Sequence, residues 1–533
     1  MCTPKHTKKT PKNTTQHDNE HAVWNRRSFL QALGLASVGS LVLGKIPVHA
    51  ATATPLNLAL SQTENDRVLV IVRLKGGNDG LNTIIPTYDF GTYANLRPNL
   101  KIDAADSFAL NDEFSMPNYM NPLEAFWGDG KMKVVHGVGY PNQNLSHFSS
   151  ADLWSSAADN GSPLQTGVLG RYFEELYPDY LVNTPEIPPA IQIGSLSNLL
   201  FNGEENSYAF SVANPDQLAQ IAQNGTAYDM QNLPPCDYGD QLGFMRSVTN
   251  STYTYASVIH TAYQASTNTS NYNANDIAEQ LAIVARLIKG NLGTKIYMIT
   301  LDGFDTHANQ PDKHQELMGN LTTAISNFYA DLASGNKDSD VLTMTISEFG
   351  RRPEENASSG TDHGAAAPML LFGEGLNGNG FVGNHPDLDN FDTNGNLDFT
   401  TDFRDVYASI LEDWLCIDSA VVDNALLNTY NRSDLGILCN GNTTPIDYGN
   451  VFTHQPIYKD DSVYVSFTVP NATTVKVELI NMLGQNLGIL HHEHFLTGKY
   501  EVNLNPNHVA RGQYIYRITA NGTSYSKSVA LFK

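Results

Sequence analysis

Cysteine is scarce in this chain of 533 residues. There are four, Cys2, Cys236, Cys416 and Cys439, and their spacing is not that of a metal site. This excludes a cysteine-ligated zinc module and a disulfide-dense scaffold. Positive charge is scarce as well. The chain has 32 Lys and Arg against 55 Asp and Glu, and residues 1–50 hold seven of the basic and two of the acidic ones, leaving 25 against 53 beyond them. So acidic a surface repels nucleic acid and anionic lipid, and no basic run follows the N-terminus, so no nucleic-acid partner is expected. The apolar stretch from Phe29 to Leu43 is too short and too rich in small residues for a comfortable membrane span, although an uncleaved anchor is the alternative reading. If Cys2 is removed with its segment, the other three allow one disulfide, with Cys416–Cys439 the first choice, or three isolated buried thiols.

What is present is enough apolar residue, 41%, and enough length for two or more folded domains. The organising stretch runs from Val341 to Gly364. Val341 to Ile346 is an apolar, β-branched run suited to a buried strand. Polar residues crowd in behind it: Glu348, Arg351, Arg352, Glu354 and Glu355, then Asp362 and His363. Ligands of open α/β sheets bind in the crevice past the carboxyl ends of the strands. This stretch therefore reads as a site, against the plainer reading of a loop with surface ion pairs. Three other stretches repeat the arrangement. Arg67 to Leu74 reads as a strand leading into Gly76-Gly77-Asn78-Asp79, where Asp79 either faces the crevice or merely makes a turn. Lys295 to Leu301 reads as a strand followed by Asp302, Asp305 and His307, which are ordinary ligand types for divalent cations. Lys133 to Gly139 leads to Ser146 and His147, where Ser146 either caps a helix or acts as a nucleophile at its positive end.

Between these, 275–289 and 312–332 read as helices, and 402–416 as an amphipathic helix closing the main domain. The signal from 161 to 270 is thin. Asn390 to Asp398 has the look of a calcium loop but lacks its closing Glu, and is read as a turn. After a linker at 436–460 the period changes to two. Five strands, 463–469, 474–480, 499–504, 513–519 and 524–531, predict a small β-sandwich over 461–533.

Three resemblances add to this reading. Arg26-Arg27-Ser28-Phe29-Leu30 resembles a twin-arginine export signal over 1–50, with Val48-His49-Ala50 as a cleavage site. Asn481-Met482-Leu483-Gly484-Gln485, Val509-Ala510-Arg511-Gly512-Gln513-Tyr514 and the ending Ser528 to Lys533 resemble the type IX secretion sorting domain of Bacteroidetes. That resemblance implies export and type IX secretion machinery as partners, and an outer-membrane-surface or extracellular location, with cell-surface attachment or removal of the domain. The main domain, 51–435, resembles the family "domain of unknown function 1501" through Leu74 to Thr83, Ser146-His147-Phe148, Gly303 to His307, Ser347 to Arg351, Thr361 to Gly364 and Asp402-Phe403-Arg404. That family in turn is similar to the alkaline phosphatase/sulfatase superfamily. The resemblance implies an α/β fold with an alkaline-phosphatase-like central sheet and helices on both faces. It also implies two divalent metals (Zn, Mg or Ca), one held by Asp362 and His363 and the other by Asp302 or Asp305 with His307, with Asp79 in the place of a first-strand metal ligand and His385 a further candidate. Ser146 would be the nucleophile. Glu348 and Arg351 have no clear counterpart in that superfamily and could serve as an extra ligand and as a clamp on an anionic ester substrate. The implied activity is hydrolysis of phosphate or sulfate esters; the alternative is a catalytically silent cell-surface binding or structural protein, such as one in polysaccharide handling.

Overall fold

The apolar run expected to begin the domain forms strand β1 (Val68–Lys75), and its first five residues are wholly buried. The structure, a computed structural model, describes residues 66–439 and 453–531 apart from short stretches, the longest of them around 222–236. The expected export signal, Cys236 and part of the turn after Asn481 lie outside the described residues. Two units divide the chain between Cys439 and Asn440.

The first unit continues with β2 (Ile85–Pro86), β3 (Ser107–Ala109), β4 (Phe114–Pro117), β5 (Met132–Gly139), β6 (Ala190–Ile193), β7 (Ala209–Val212) and β8 (Ile296–Asp302). Then come β9 (Val341–Ser347), β10 (Gly350–Glu355), β11 (Thr361–Gly364), β12 (Ala367–Phe372), β13 (Gly380–Val382) and β14 (Thr401–Asp402). The principal helices are α1 (His147–Ser156), α2 (Val168–Leu176), α3 (Asp237–Ala265), α4 (Asp276–Lys289), α5 (Gln310–Ser334) and α6 (Phe403–Ser409). The main sheet runs β13-β5-β12-β9-β1-β8-β6-β7, with β14 also on β5. β1 lies parallel between β8 and β9. β12 is antiparallel to β9 and β5, which makes the sheet mixed.

Helices cover both faces. Thr343 on β9 meets the hydroxyl of Tyr329 on α5 at 3.1 Å. The next residue, Met344, turns to the other face and lines a small apolar cavity with Leu69, Ile71, Val168 of α2 and Tyr407 of α6. Alternation along a strand puts such neighbours on opposite faces. α4 starts where Asn275 accepts a hydrogen bond from the Ala278 N–H, and it buries Ile277, Leu281, Val284, Leu287 and Ile288. Each such side chain contributes roughly 1.5–3 kcal/mol. The expected turn at Asn390 to Asp398 is present: Asp392 Oδ1 accepts from the backbone N–H groups of Asn394 and Asn396.

The structure corrects three expectations. Helix α3 fills much of the region of thin signal. Its Ser and Thr residues hide it from periodicity because their hydroxyls bond back to carbonyls four residues earlier, as Thr249 does to Met245 and Ser251 to Ser247. The helix expected at 402–416 is regular only to Ser409 and ends in a π-turn, Ile410–Trp414. Finally, the expected linker contains a strand.

That strand is β15 (Thr453–Lys459), and it opens the second unit with β16 (Ser462–Val469), β17 (Thr473–Asn481), β18 (Asn486–Phe495), β19 (Gly498–Asn503), β20 (Gly512–Ala520) and β21 (Thr523–Leu531). β15 is an edge strand, the kind of strand in which a proline such as Pro456 is tolerated. Two sheets, β15-β16-β19 and β18-β17-β20-β21, enclose one core that includes Val465, Phe467, Val477, Leu479, Tyr516 and Ile518. Among the described residues no helix is long and apolar enough to cross a membrane.

Cys416 and Cys439 form a disulfide across a separation of 23 residues. By loop-closure entropy such a bridge stabilises the fold by roughly 3 kcal/mol. Cys416→Ser should therefore lower the urea midpoint of the first unit under oxidising conditions, and reductant should remove the difference from wild type. Equal midpoints without reductant would show that the bridge contributes no stability.

Candidate metal centre

Three adjacent parallel strands deliver their carboxyl ends to one place. β1 ends in Gly76-Gly77, β8 leads to Asp305 and His307, and β9 leads to Glu348. The chain can pass this closely only with glycine at Gly76: φ is +116°, and a Cβ there would lie 2.3 Å from the Asp305 nitrogen. The hairpin β10–β11 then folds over, with Arg351 opposite His363. Asp362 and His363 thus sit within the short strand β11.

Four side chains converge. Asp305 Oδ1 lies 3.1 Å from His363 Nε2 and 3.1 Å from His307 Nε2. The two imidazole Nε2 atoms are 3.0 Å apart. Asp305 Oδ2 is 3.5 Å from His147 Nε2. His147, Asp305 and His363 each bring one ligand atom within 4.8 Å of the others. Each histidine is held by its other nitrogen. His147 Nδ1 lies 2.7 Å from Glu348 Oε2, His307 Nδ1 3.2 Å from Asp362 Oδ1 and His363 Nδ1 2.8 Å from the Leu145 carbonyl. Those acceptors assign the proton to Nδ1 in every ring, so three Nε2 lone pairs face one carboxylate. Acceptors at such distances need a proton or a cation between them. A tetrahedral zinc with Zn–N of 2.0–2.1 Å places its ligand atoms about 3.3 Å apart, close to the spacing among Asp305, His307 and His363.

Charge is arranged to match. Burial alone would raise the Asp305 carboxyl, but the hydrogen bond and charge of Arg351, with the imidazoles of His363 and His307 beside it, outweigh it and bring Asp305 to about 2. Burial lowers His363, keeping it neutral and able to ligate. Behind His147, Glu348 is buried and bridged to Arg73 at 2.6 Å.

The structure redistributes the expected site residues. Asp305, His307 and His363 come together. Asp362 stands behind His307 as its hydrogen-bond acceptor, so the expected ligand orients a histidine of the cluster instead. Glu348 does the same for His147. Asp79 is not at the centre: its fully buried carboxylate caps a helical turn at Asn82, accepts from Gln310 and pairs with Arg97 at 2.7 Å. Asp302 is exposed and paired with Lys75. Arg351 cannot clamp an ester, because its guanidinium is spent inside the protein. Its Nε donates to the Gly77 carbonyl at 2.9 Å, its Nη1 to the Thr361 carbonyl at 2.9 Å, and its Nη2 to Gly76, Phe304 and Asp305. Ser146 is exposed at the start of α1, with no capping bond from its side chain. His385 lies beside Tyr88 and His136, away from these ligands. The member of the cluster that the residue pattern did not select is His147; its signal was its place beside Ser146 after strand β5.

Fold and site together define an α/β protein with a histidine- and carboxylate-rich centre at the carboxyl edge of its sheet, followed by an all-β module. Residues 245–423 match the family described as "Protein of unknown function (DUF1501)", and residues 458–531 match "Secretion system C-terminal sorting domain". The sorting domain directs export to the outer-membrane surface or the extracellular medium. No curated protein matches the chain. Solved structures similar to it include the PsFucS1 sulfatase from Pseudoalteromonas sp., at 10% identity over 84% of this chain and 86% of that one, with a TM-score of 0.30. They also include the alkaline phosphatase of the Antarctic bacterium TAB5, at 10% identity over 60% and 94%, TM-score 0.27. A third is the lipoteichoic acid synthase LtaP from Listeria monocytogenes, at 10% identity over 63% and 75%, TM-score 0.29. Scores this low say nothing of chemistry.

The Asp305 carboxyl yields a pH test. Its folded value of about 2 lies below the unfolded value near 3.9, so the ionised form stabilises the fold above about pH 4 and that contribution is lost as pH falls towards about 2. In metal-free protein, wild type should exceed Asp305→Asn in urea midpoint at pH 5, and the gap should close between about pH 4 and 2. A gap independent of pH would contradict this account of the charge.

Proposed function

We propose that this protein is an exported, metal-dependent hydrolase of phosphate or sulfate esters, with one divalent ion held by His147, Asp305, His307 and His363. The observation that carries the reading is the orientation of the three imidazoles: each Nδ1 is anchored to an acceptor, and each Nε2 is turned to Asp305. Carboxylate or carbonyl partners behind ligating histidines fix the ring and raise its basicity. Of the ions the resemblance allows, zinc suits a set of three imidazoles and one carboxylate best, since Mg²⁺ and Ca²⁺ favour oxygen ligands. Such an ion, when bound, polarises an ester oxygen and lowers the pKa of a coordinated water. Glu348 keeps His147 in its tautomer, and Asp362 does so for His307. Ser146, exposed beside His147, is the side chain we assign as nucleophile. The ester class rests on the resemblance of the ordered motifs to the alkaline phosphatase/sulfatase superfamily.

One observation favours the rival reading of a surface binding protein. Arg97 neutralises Asp79, so the first-strand carboxylate of a two-metal ester hydrolase is already taken.

Elemental analysis should find one divalent ion per chain, absent from His363→Ala and from an Asp305→Ala, His307→Ala double variant. A chelator should abolish hydrolysis of 4-nitrophenyl phosphate or 4-nitrophenyl sulfate, zinc should restore it, and Ser146→Ala should lower it by at least tenfold. Stoichiometric metal without hydrolysis of either ester would favour the binding protein. A folded wild type that takes up no divalent ion would overturn the metal centre.

A further inference from the structure

The ligands of the candidate centre are about half exposed: 48% for Asp305 and 45% for His307. Their positions must therefore be set from beneath. Directly beneath lies a dry polar box in which Asp79, Arg97, Gln310, Thr306 and Thr361 are all at most 2% exposed. Gln310 is its hub. Its Oε1 accepts from the Thr306 hydroxyl at 3.0 Å and from the Thr361 hydroxyl at 2.6 Å. Thr306 stands between the ligands Asp305 and His307, and Thr361 immediately precedes Asp362-His363. One amide oxygen thus joins the two segments that carry the ligands, seconded by a backbone bond from the Thr361 N–H to the Thr306 carbonyl at 3.2 Å.

The other end of the amide fixes its direction. Gln310 Nε2 donates to Asp79 Oδ2. Asp79 is held in turn by Arg97 Nη1 at 2.8 and 2.7 Å. Arg97 also donates to the carbonyls of Pro353 and Arg352 on β10, the partner strand of the hairpin. A carboxylate can only accept here, so the amide cannot flip, and its oxygen must face the two threonines. We infer that Gln310 is a positioning residue for the metal centre, acting through Thr306 and Thr361 to set the distance between Asp305/His307 and His363. The inference rests on the metal reading above. It goes beyond that reading in what it assigns to the Asp79–Arg97 pair, which orients the amide that spaces the ligands.

The test uses the full-length protein, stripped of metal and titrated with Co²⁺. Gln310→Met keeps the bulk and removes both functions of the amide. Thr361→Val is isosteric and removes one donor, so it serves if Gln310→Met fails to fold. We expect Co²⁺ affinity to fall about 10- to 100-fold, with a shifted visible absorption spectrum, while Thr361→Val keeps a melting temperature near wild type without metal. Hydrogen exchange in metal-free protein should quicken together in 303–309 and 361–364. Wild-type Co²⁺ affinity and spectrum in a folded variant would overturn the inference. A wild type that binds no Co²⁺ would instead overturn the metal reading, and exchange rates in the variants equal to wild type would then overturn the staple too.

Discussion

The site depends on one buried guanidinium. Arg351 spreads its donors over carbonyls from three separate loops, Gly76 and Gly77 after β1, Phe304 after β8 and Thr361 in the hairpin, and it reaches the Asp305 carboxylate as well. Three strand ends meeting side by side leave carbonyls that the sheet no longer pairs. Left buried without partners, each would cost about 1–3 kcal/mol. A planar cation with five N–H donors in a fixed fork can satisfy several of them at once, and a lysine cannot. The charge is tolerated inside because Asp305 takes part of it. The same contact that solves a packing problem also keeps Asp305 ionised.

This gives the centre two sides of opposite character. The upper side carries imidazoles and carboxylates that remain partly open to water. The lower side is dry and fully bonded: Arg351 under Asp305, Gln310 under the two threonines, Asp79 with Arg97 beneath them. Rigidity is placed in the interior, where hydrogen bonds are stronger and waters do not compete. The outer hydrogen bonds, Glu348 to His147 and Asp362 to His307, then need only choose a tautomer and a ring angle. A centre built this way keeps its geometry whether or not the upper face is occupied, which is what preorganisation requires.

Much of this could be read from the sequence, and what could not has physical causes. Strands β1, β5, β8 and β9 declared themselves because buried parallel strands are nearly continuous apolar runs. The polar residues just past them marked the site correctly as a neighbourhood. Individual roles were another matter. Asp79 and Asp305 look alike in the chain, each a few residues beyond a strand and near a glycine. Only the fold shows that Arg97, eighteen residues on, reaches back to one of them, while three histidines surround the other. Arg351 likewise carries a charge that suits an anion or a carbonyl cage equally well, and composition cannot choose between them. His147 was hidden because its role depends on a contact with Glu348 across 201 positions.

The fate of Asp79 bears on the number of metals. A carboxylate at the end of a first strand is well placed to join a second ion, but an ion and a guanidinium compete for the same lone pairs. Here the guanidinium is part of the fold. It is fully buried, bonded to Asp79, Asn82 and two backbone carbonyls, and the Gln310 amide takes up a further lone pair. Displacing it would strand a buried charge, at a cost of several kcal/mol. No surface ligand set offsets that easily. The protein has therefore given this position an internal cation that cannot dissociate, and Asp79 serves the fold beneath the centre rather than an exchangeable ion.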